Sequence, residues 1–229
     1  MPVFLSDWPR MADRLIQLTV PALEYPRRDL PNTMTFADPV LPSPLPGPTL
    51  PGWWPQLAGR RVVHVTQGTG DNADLGRLVA PAIRGLAGDD VLVVVSTGGR
   101  PVNALPGPVP ANVRIAEFLP YDALLPLVDV MVTNGGYGGV QHALAHGVPL
   151  IVAGDTADKP EVAARVAYTG SGIDLRTGTP SADAVAAAVR RAQRWRVPVA
   201  CGPTAPGHRG GAAAGHNRRH AGRAHARRD

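Results

Sequence analysis

Cysteine occurs once in the 229 residues, as Cys201, which excludes an intramolecular disulfide framework and a thiolate-based zinc site. No apolar run approaches 18 residues, so an ordinary transmembrane helix is excluded. The opening MPVFLSDWPRM has neither a basic leading region nor a long apolar stretch, and does not read as a secretory signal. A cytoplasmic protein is the expectation. Lysine is equally scarce. Lys159 stands against 22 arginines, which, with the excess of alanine, glycine and proline, reads as GC-rich coding. The net charge of +5 is confined to one end. Residues 201–229 carry six arginines and one acid, whereas residues 1–200 carry 17 basic and 17 acidic residues. The body therefore shows no electrostatic footprint for a polyanion, and no nucleic-acid partner is expected.

Four zones separate by composition. Residues 1–36 hold too few periodic elements to build a core alone. Residues 37–58 are a proline-rich linker: PVLPSPLPGPTLPGWWP (39–55) contains seven prolines and closes on Trp53 and Trp54, which are expected to pin it to the following domain. Residues 59–196 alternate strands and helices. Residues 197–229 lack Leu, Ile, Phe and Glu, and are expected to be disordered. The abrupt change there reads as out-of-frame translation. The tail's four histidines, at loose spacing, are not expected to bind metal.

Within 59–196, RVVHVT (61–66), VLVVVS (91–96), VRIAEF (113–118), DVMVT (129–133), PLIVAG (149–154) and GIDL (172–175) read as strands. A helix capped by Asn72 is predicted through Leu86. A short one interrupted by Pro126 follows at 121–128, then helices near 139–146, over 160–170 with Pro160 in its first turn, and over 181–195 capped by Ser181. Strands alternating with helices predict an α/β fold with a doubly wound parallel sheet. Such sheets bind ligands beyond the carboxyl ends of their strands.

Two candidate loops lie at such ends. In VTQGTGDN (65–72), Gly68 and Gly70 allow close backbone approach, and the following helix start suits phosphate. The pattern is neither G-x-G-x-x-G nor a Walker loop, which disfavours a dinucleotide oxidoreductase. In VTNGGYGGVQHALAHGVPLIVAGDTADK (132–159), Asn134 ends a strand, and Gly135, Gly136, Gly138 and Gly139 flank Tyr137. Four glycines in five positions suit a backbone that wraps an anion. Tyr137 is expected to pack. His142 and His146 lie four apart on one helix face, where a plain surface role serves both.

Together these segments resemble the donor-binding half of the GT-B glycosyltransferases, the nucleotide-sugar family that includes antibiotic, sterol and flavonoid glycosyltransferases. The variant resembles the macrolide- or rhamnosyltransferase-like members. Asn134 stands in place of the family's histidine. Gly136, Tyr137 and Gly147-Val148-Pro149 match, His142 falls at the ribose-contacting Glu, and Asp158-Lys159 falls at the sugar-contacting Asp-Gln. Upstream, VTQGT matches the diphosphate loop, and RIAEFLPYDALLPLVDVMVTNGG (114–136) matches the base-binding turn and strand.

The resemblance implies a Rossmann-like C-terminal half of a GT-B fold. It assigns Gln67, Gly68, Thr69, Asn134, Gly135, Gly136, Gly138 and Gly139 to the diphosphate and Phe118, Leu119 and Pro120 to the base. His142 goes to the ribose, and Asp158 and Lys159 to the sugar. It implies hexose transfer from a UDP- or TDP-sugar to a small-molecule or lipid hydroxyl, with inversion and without metal or other cofactor. The base that deprotonates the acceptor belongs to an N-terminal domain of which residues 1–36 are the end. The chain alone is expected to be inactive, with a separate N-terminal-domain protein as a possible partner. A non-catalytic nucleotide-binding module or a degenerate fragment is the alternative.

Overall fold

The computed structural model describes residues 11–40, 47 and 49–192. The expectations for the tail at 197–229, and for Trp195 as a helix end, lie outside the described residues.

Two short strands open the chain, β1 (Leu15–Leu18) and β2 (Met34–Ala37), paired in parallel with Leu15 opposite Met34. The chain then builds β3 (Val62–Thr66), α1 (Val79–Leu86), β4 (Leu92–Ser96), β5 (Val113–Ala116), α2 (Tyr121–Leu124) and β6 (Val130–Thr133). It continues through α3 (Tyr137–Ala145), β7 (Leu150–Val152), α4 (Lys159–Tyr168), β8 (Gly172–Asp174) and α5 (Ala182–Ala192). Strands β3 to β8 form one six-stranded sheet in the order β5-β4-β3-β6-β7-β8, parallel at every pairing. This is the doubly wound parallel sheet the alternation predicts. The winding runs outward from β3 to β5, then returns to start again at β6. Strands β3 and β6 are thus neighbours whose following connections leave in opposite directions, which opens a crevice between their carboxyl ends.

Both faces of the sheet are covered, so the central strands are apolar at nearly every position. Strand pleating sends alternate residues to opposite sides. Val63, Val65, Val93 and Val95 pack with Leu78, Ile83, Leu86, Val185 and Val189 of the α1–α5 layer. Val62, Leu92, Val94 and Met131 pack with Val140, Leu144, Val162 and Val166 of the α3–α4 layer. Helices α1 and α5 approach so closely at Gly85 that a Cβ there would run into the Ala182 carbonyl. His64 shares the α3–α4 face and is fully buried.

The N-terminal segment is joined to this body rather than hanging from it. Val20 and Leu23 enter the α3–α4 core. Gln141 donates to Thr19 Oγ1 at 2.7 Å, Gln17 donates to the Tyr137 hydroxyl at 3.2 Å, and Arg165 pairs with Glu24 at 2.9 Å. This segment holds two strands, because Met34–Ala37 returns alongside Leu15–Leu18. Trp53 and Trp54 pack against the same core, and Leu57 is buried within it. The tryptophans therefore pin the proline-rich stretch as expected.

Two helix starts differ from the sequence reading. Helix α1 begins at Val79, and Asn72 does not cap it. The Asn72 amide instead hydrogen-bonds the carbonyls of Gly68, Thr97 and Gly98, each at 2.9 Å. With Asn72 committed to those carbonyls, Gln67 folds back to take the capping role. Its Oε1 accepts from the N–H groups of Leu78 and Val79, both at 3.2 Å. Helix α3 begins at Tyr137, so Tyr137, Gly138 and Gly139 form its first turn rather than a loop. Ser181 does cap α5, its hydroxyl accepting from Ala184 N–H at 3.1 Å.

Candidate functional site

The loops after β3, β4, β6 and β7 converge at the crevice. Asn134, one residue past β6, ties two of them: its amide donates to the Gln67 carbonyl at 2.6 Å and the Asp71 carbonyl at 3.3 Å. Its Oδ1 accepts from Gly136 N–H at 3.4 Å. The side chain is nearly buried, and it holds the 67–71 loop in place instead of pointing a free donor outward. Gln67 is likewise committed, donating to the Asp74 carbonyl at 3.0 Å while capping α1. The β3 and β4 loops cross where Gly98, at φ +65°, leaves no room for a Cβ against the Gly68 carbonyl.

Two cavities open along this edge. The first, about 550 Å³, is lined by Gln67, Gly68, Thr69, Asp71, Asn134, Gly136, Gly138, Gly139, Thr156, Asp158 and Lys159, among others. The second, about 510 Å³, is lined by Ser96, Gly98, Glu117, Phe118, Leu119 and His142, with Gly68, Thr69, Gly138 and Gly139. Thr66, Gly68, Thr69, Tyr121, Gly138 and Gly139 border both, so the cavities are two lobes of one cleft with a shared waist.

Twelve of the fourteen site residues expected from sequence line one lobe or the other. Pro120 and Gly135 do not. Pro120 is the residue before α2, and Gly135, at φ +86°, turns the chain beside Val152. Phe118 is 66% exposed and forms an open wall, whereas Leu119 is mostly buried.

The waist is bounded by the start of α3. Gly136 precedes the helix, and Tyr137, Gly138 and Gly139 make its first turn. The first amides of a helix have no intrahelical acceptor and carry the positive end of its dipole, so they bind anions. There is no acidic residue in that first turn. Gly138 and Gly139 face the cleft with no side chain in the way.

Below the waist lies a buried polar chain. Val94 C=O can only accept, so His64 Nδ1 carries the proton of their 2.9 Å contact. Nε2 then accepts from the Tyr121 hydroxyl at 3.2 Å. Burial holds His64 down to about 4, against the Val94 bond, so it is neutral near pH 7. The Tyr121 ring stands edge-on between His64 and His142, at 5.4 and 5.6 Å. Burial lowers the His142 pKa, with Asp122 pulling the other way.

At the far end of the first lobe, Lys159 Nζ lies 3.2 Å from Asp71 Oδ2 and donates to Thr156 Oγ1 at 2.9 Å. Thr156 donates to the same carboxylate oxygen at 2.6 Å. The Thr156 hydrogen bond first, and the Lys159 bond after it, hold the Asp71 carboxyl below its ordinary value. Asp71, Thr156 and Tyr121 are the site residues that the sequence reading did not single out. Each sits in a quoted segment, but nothing local distinguishes a loop Asp from one that meets a Thr 85 positions later. Among the described residues, no group of three or more His, Cys, Asp or Glu side chains is arranged to hold a metal ion.

A parallel doubly wound sheet with a glycine-lined helix start at its switch point is the architecture of a GT-B donor domain. Residues 86–196 match the family described as erythromycin biosynthesis protein CIII-like, C-terminal domain. It is 53% identical over 182 residues to 4'-demethylrebeccamycin synthase of Lentzea aerocolonigenes, a match covering 79% of this chain and 42% of that protein. It is 42% identical over 181 residues to UDP-glucosyltransferase A1 of Starmerella bombicola, covering 78% of this chain and 39% of the other. The glycosyltransferase SnogD from Streptomyces nogalater superposes with a TM-score of 0.64 at 30% identity, over 78% of this chain and 48% of SnogD. The chain thus spans less than half the length of these relatives.

Proposed function

We propose that this chain is the donor-binding part of a glycosyltransferase that moves a hexose from a UDP- or TDP-sugar to a small-molecule or lipid hydroxyl, with inversion. The observation that carries the reading is the α3 N-terminus, with Gly138 and Gly139 at the waist of a two-lobed cleft. A nucleoside diphosphate has this shape: its base fits the lobe of Phe118 and Leu119, and its diphosphate the waist. His142 borders the base lobe, in reach of a ribose. Backbone amides of α3 and of the Gly68–Thr69 loop would stabilise the charge that develops on the leaving diphosphate, which removes the need for a metal ion. Asn134 serves this site by holding the Gln67–Asp71 loop, so its role is to position phosphate donors.

The deprotonating base is assigned to an acceptor-binding domain outside these 229 residues. The cleft histidine, His142, lines the lobe that lacks Asp71 and Lys159. Purified chain is therefore expected to show no transfer, and turnover would overturn that assignment. No helix among the described residues is long and apolar enough to cross a membrane, and a cytoplasmic setting is proposed.

Calorimetric titration of the chain with UDP and TDP, with NAD as control, tests the reading. Micromolar binding of a pyrimidine diphosphate is expected. Asn134→Ala removes the donor from the Gln67 and Asp71 carbonyls and should weaken it about tenfold or more, since leaving buried carbonyls unpaired costs about 1–3 kcal/mol. No binding by folded protein would refute the proposal.

A further inference from the structure

The cleft does not end at the waist. Beyond the α3 N-terminus, on the side away from Phe118 and His142, the first lobe continues between the loop after β3 and the loop after β7. A ligand whose base lies in the second lobe and whose diphosphate lies at the waist directs its next group here. On the donor reading above, on which this inference rests, that group is the sugar.

The charged side chains lining this end are Asp71, Asp158 and Lys159, two carboxylates and one ammonium. Lys159 is not free to meet an incoming anion. Its side chain is only 10% exposed, and it is held between Asp71 and Thr156. Arg77, whose charge Asp71 also feels, is paired with Asp155. Asp71 is the opposite case. Its Oδ2 takes both bonds of the cluster, from Thr156 and Lys159, and its side chain is 38% exposed. Among the described residues no donor is placed on its Oδ1. A carboxylate clamped through one oxygen and open at the other is a fixed acceptor.

We infer that Asp71, clamped by Thr156 and Lys159, selects the donor sugar: the site takes an uncharged hexose, whose hydroxyl donates to Asp71 Oδ1, and rejects a hexuronic acid. A sugar carboxylate in this lobe meets Asp71 and Asp158, and competes with Asp71 for one buried ammonium. Like charges brought together out of bulk water oppose binding strongly. A neutral hexose leaves the Asp71–Lys159 pair intact and adds a charge-assisted hydrogen bond.

The test is a calorimetric comparison of UDP, UDP-glucose and UDP-glucuronic acid on the full chain, repeated with Asp71→Asn; the TDP series replaces it if only TDP binds. Wild type should bind UDP-glucose at least about tenfold more tightly than UDP-glucuronic acid. In Asp71→Asn, Lys159 loses its carboxylate partner and is released to an anionic sugar, so the ratio should collapse or invert. Cooperative melting checks that the variant is folded. If it is not, Thr156→Val, which removes one of the two donors clamping Asp71, should narrow the ratio in the same direction. Equal wild-type affinities, or a ratio unchanged in folded variants, would overturn the inference while leaving the donor reading standing. Loss of UDP itself in folded Asp71→Asn would overturn it too, by making Asp71 a loop-shaping residue. Failure of UDP and TDP to bind wild type would remove both.

Discussion

Gly138→Asp should abolish pyrimidine-diphosphate binding while leaving the protein folded, with a melting temperature equal to or above that of wild type. Gly138 lies in the first turn of α3, it is exposed, and a Cβ there meets open space. A carboxylate in a helical first turn is favourable to the helix, by about 0.3–1 kcal/mol. Replacing glycine inside a helix adds a few tenths of a kcal/mol more. The same carboxylate would stand where the diphosphate must sit and would engage the amides meant for it. A fixed like charge costs several kcal/mol, so affinity should fall about a hundredfold or more. Gly138→Asn has nearly the same size without the charge and should fall between the two. Titration calorimetry and thermal melting on the three proteins read both effects at once. A folded Gly138→Asp protein that binds UDP as wild type does would show that the helix start is not the anion site.

The second large effect is on stability and depends on pH. His64 is fully buried, and burial holds its pKa at about 4 in the folded protein, below the ordinary value of 6.5. Unfolded chains bind a proton at His64 between these values and folded chains do not, so stability rises with pH across that window. The contribution is complete above about pH 6.5 and is lost as pH falls toward 4. A shift of this size is worth about 3 kcal/mol, since one pKa unit corresponds to about 1.4 kcal/mol. Urea denaturation at pH 7 and pH 5 should show this loss beginning. His64→Gln keeps a donor for Val94 and an acceptor for Tyr121, and should flatten the slope between those pH values. It should also lower stability at pH 7, because a flexible amide replaces a ring wedged against Tyr121. An unchanged slope in the variant would assign the pH dependence to other groups.

Much of the fold was legible locally. Strands buried on both faces announce themselves as apolar runs, and VLVVVS became β4 with every residue buried. Pro160 and Ser181 marked helix starts because a missing N–H and a hydroxyl acceptor act within one turn. Helix α3 starts two residues before the position its sequence predicts, since glycines read as loop when no neighbour is known. The residue type of Asn72 alone suggests a helix cap. Its amide goes to the carbonyls of Gly68, Thr97 and Gly98, two of which lie on another loop.

The sequence by itself therefore determined the class of sheet, the glycines at the strand ends and the resemblance that joins them, because each is written in residues close along the chain. Only the tertiary structure decided what the polar side chains do. Asn134 and Gln67 spend their hydrogen bonds on the site's own backbone, and Asp71, after β3, meets Thr156 and Lys159, after β7, two strands away in the sheet. A polar side chain near a cleft faces ligand or scaffold according to which carbonyls and amides lie within about 3 Å of it. Those neighbours come from distant strands brought together by the winding of the sheet.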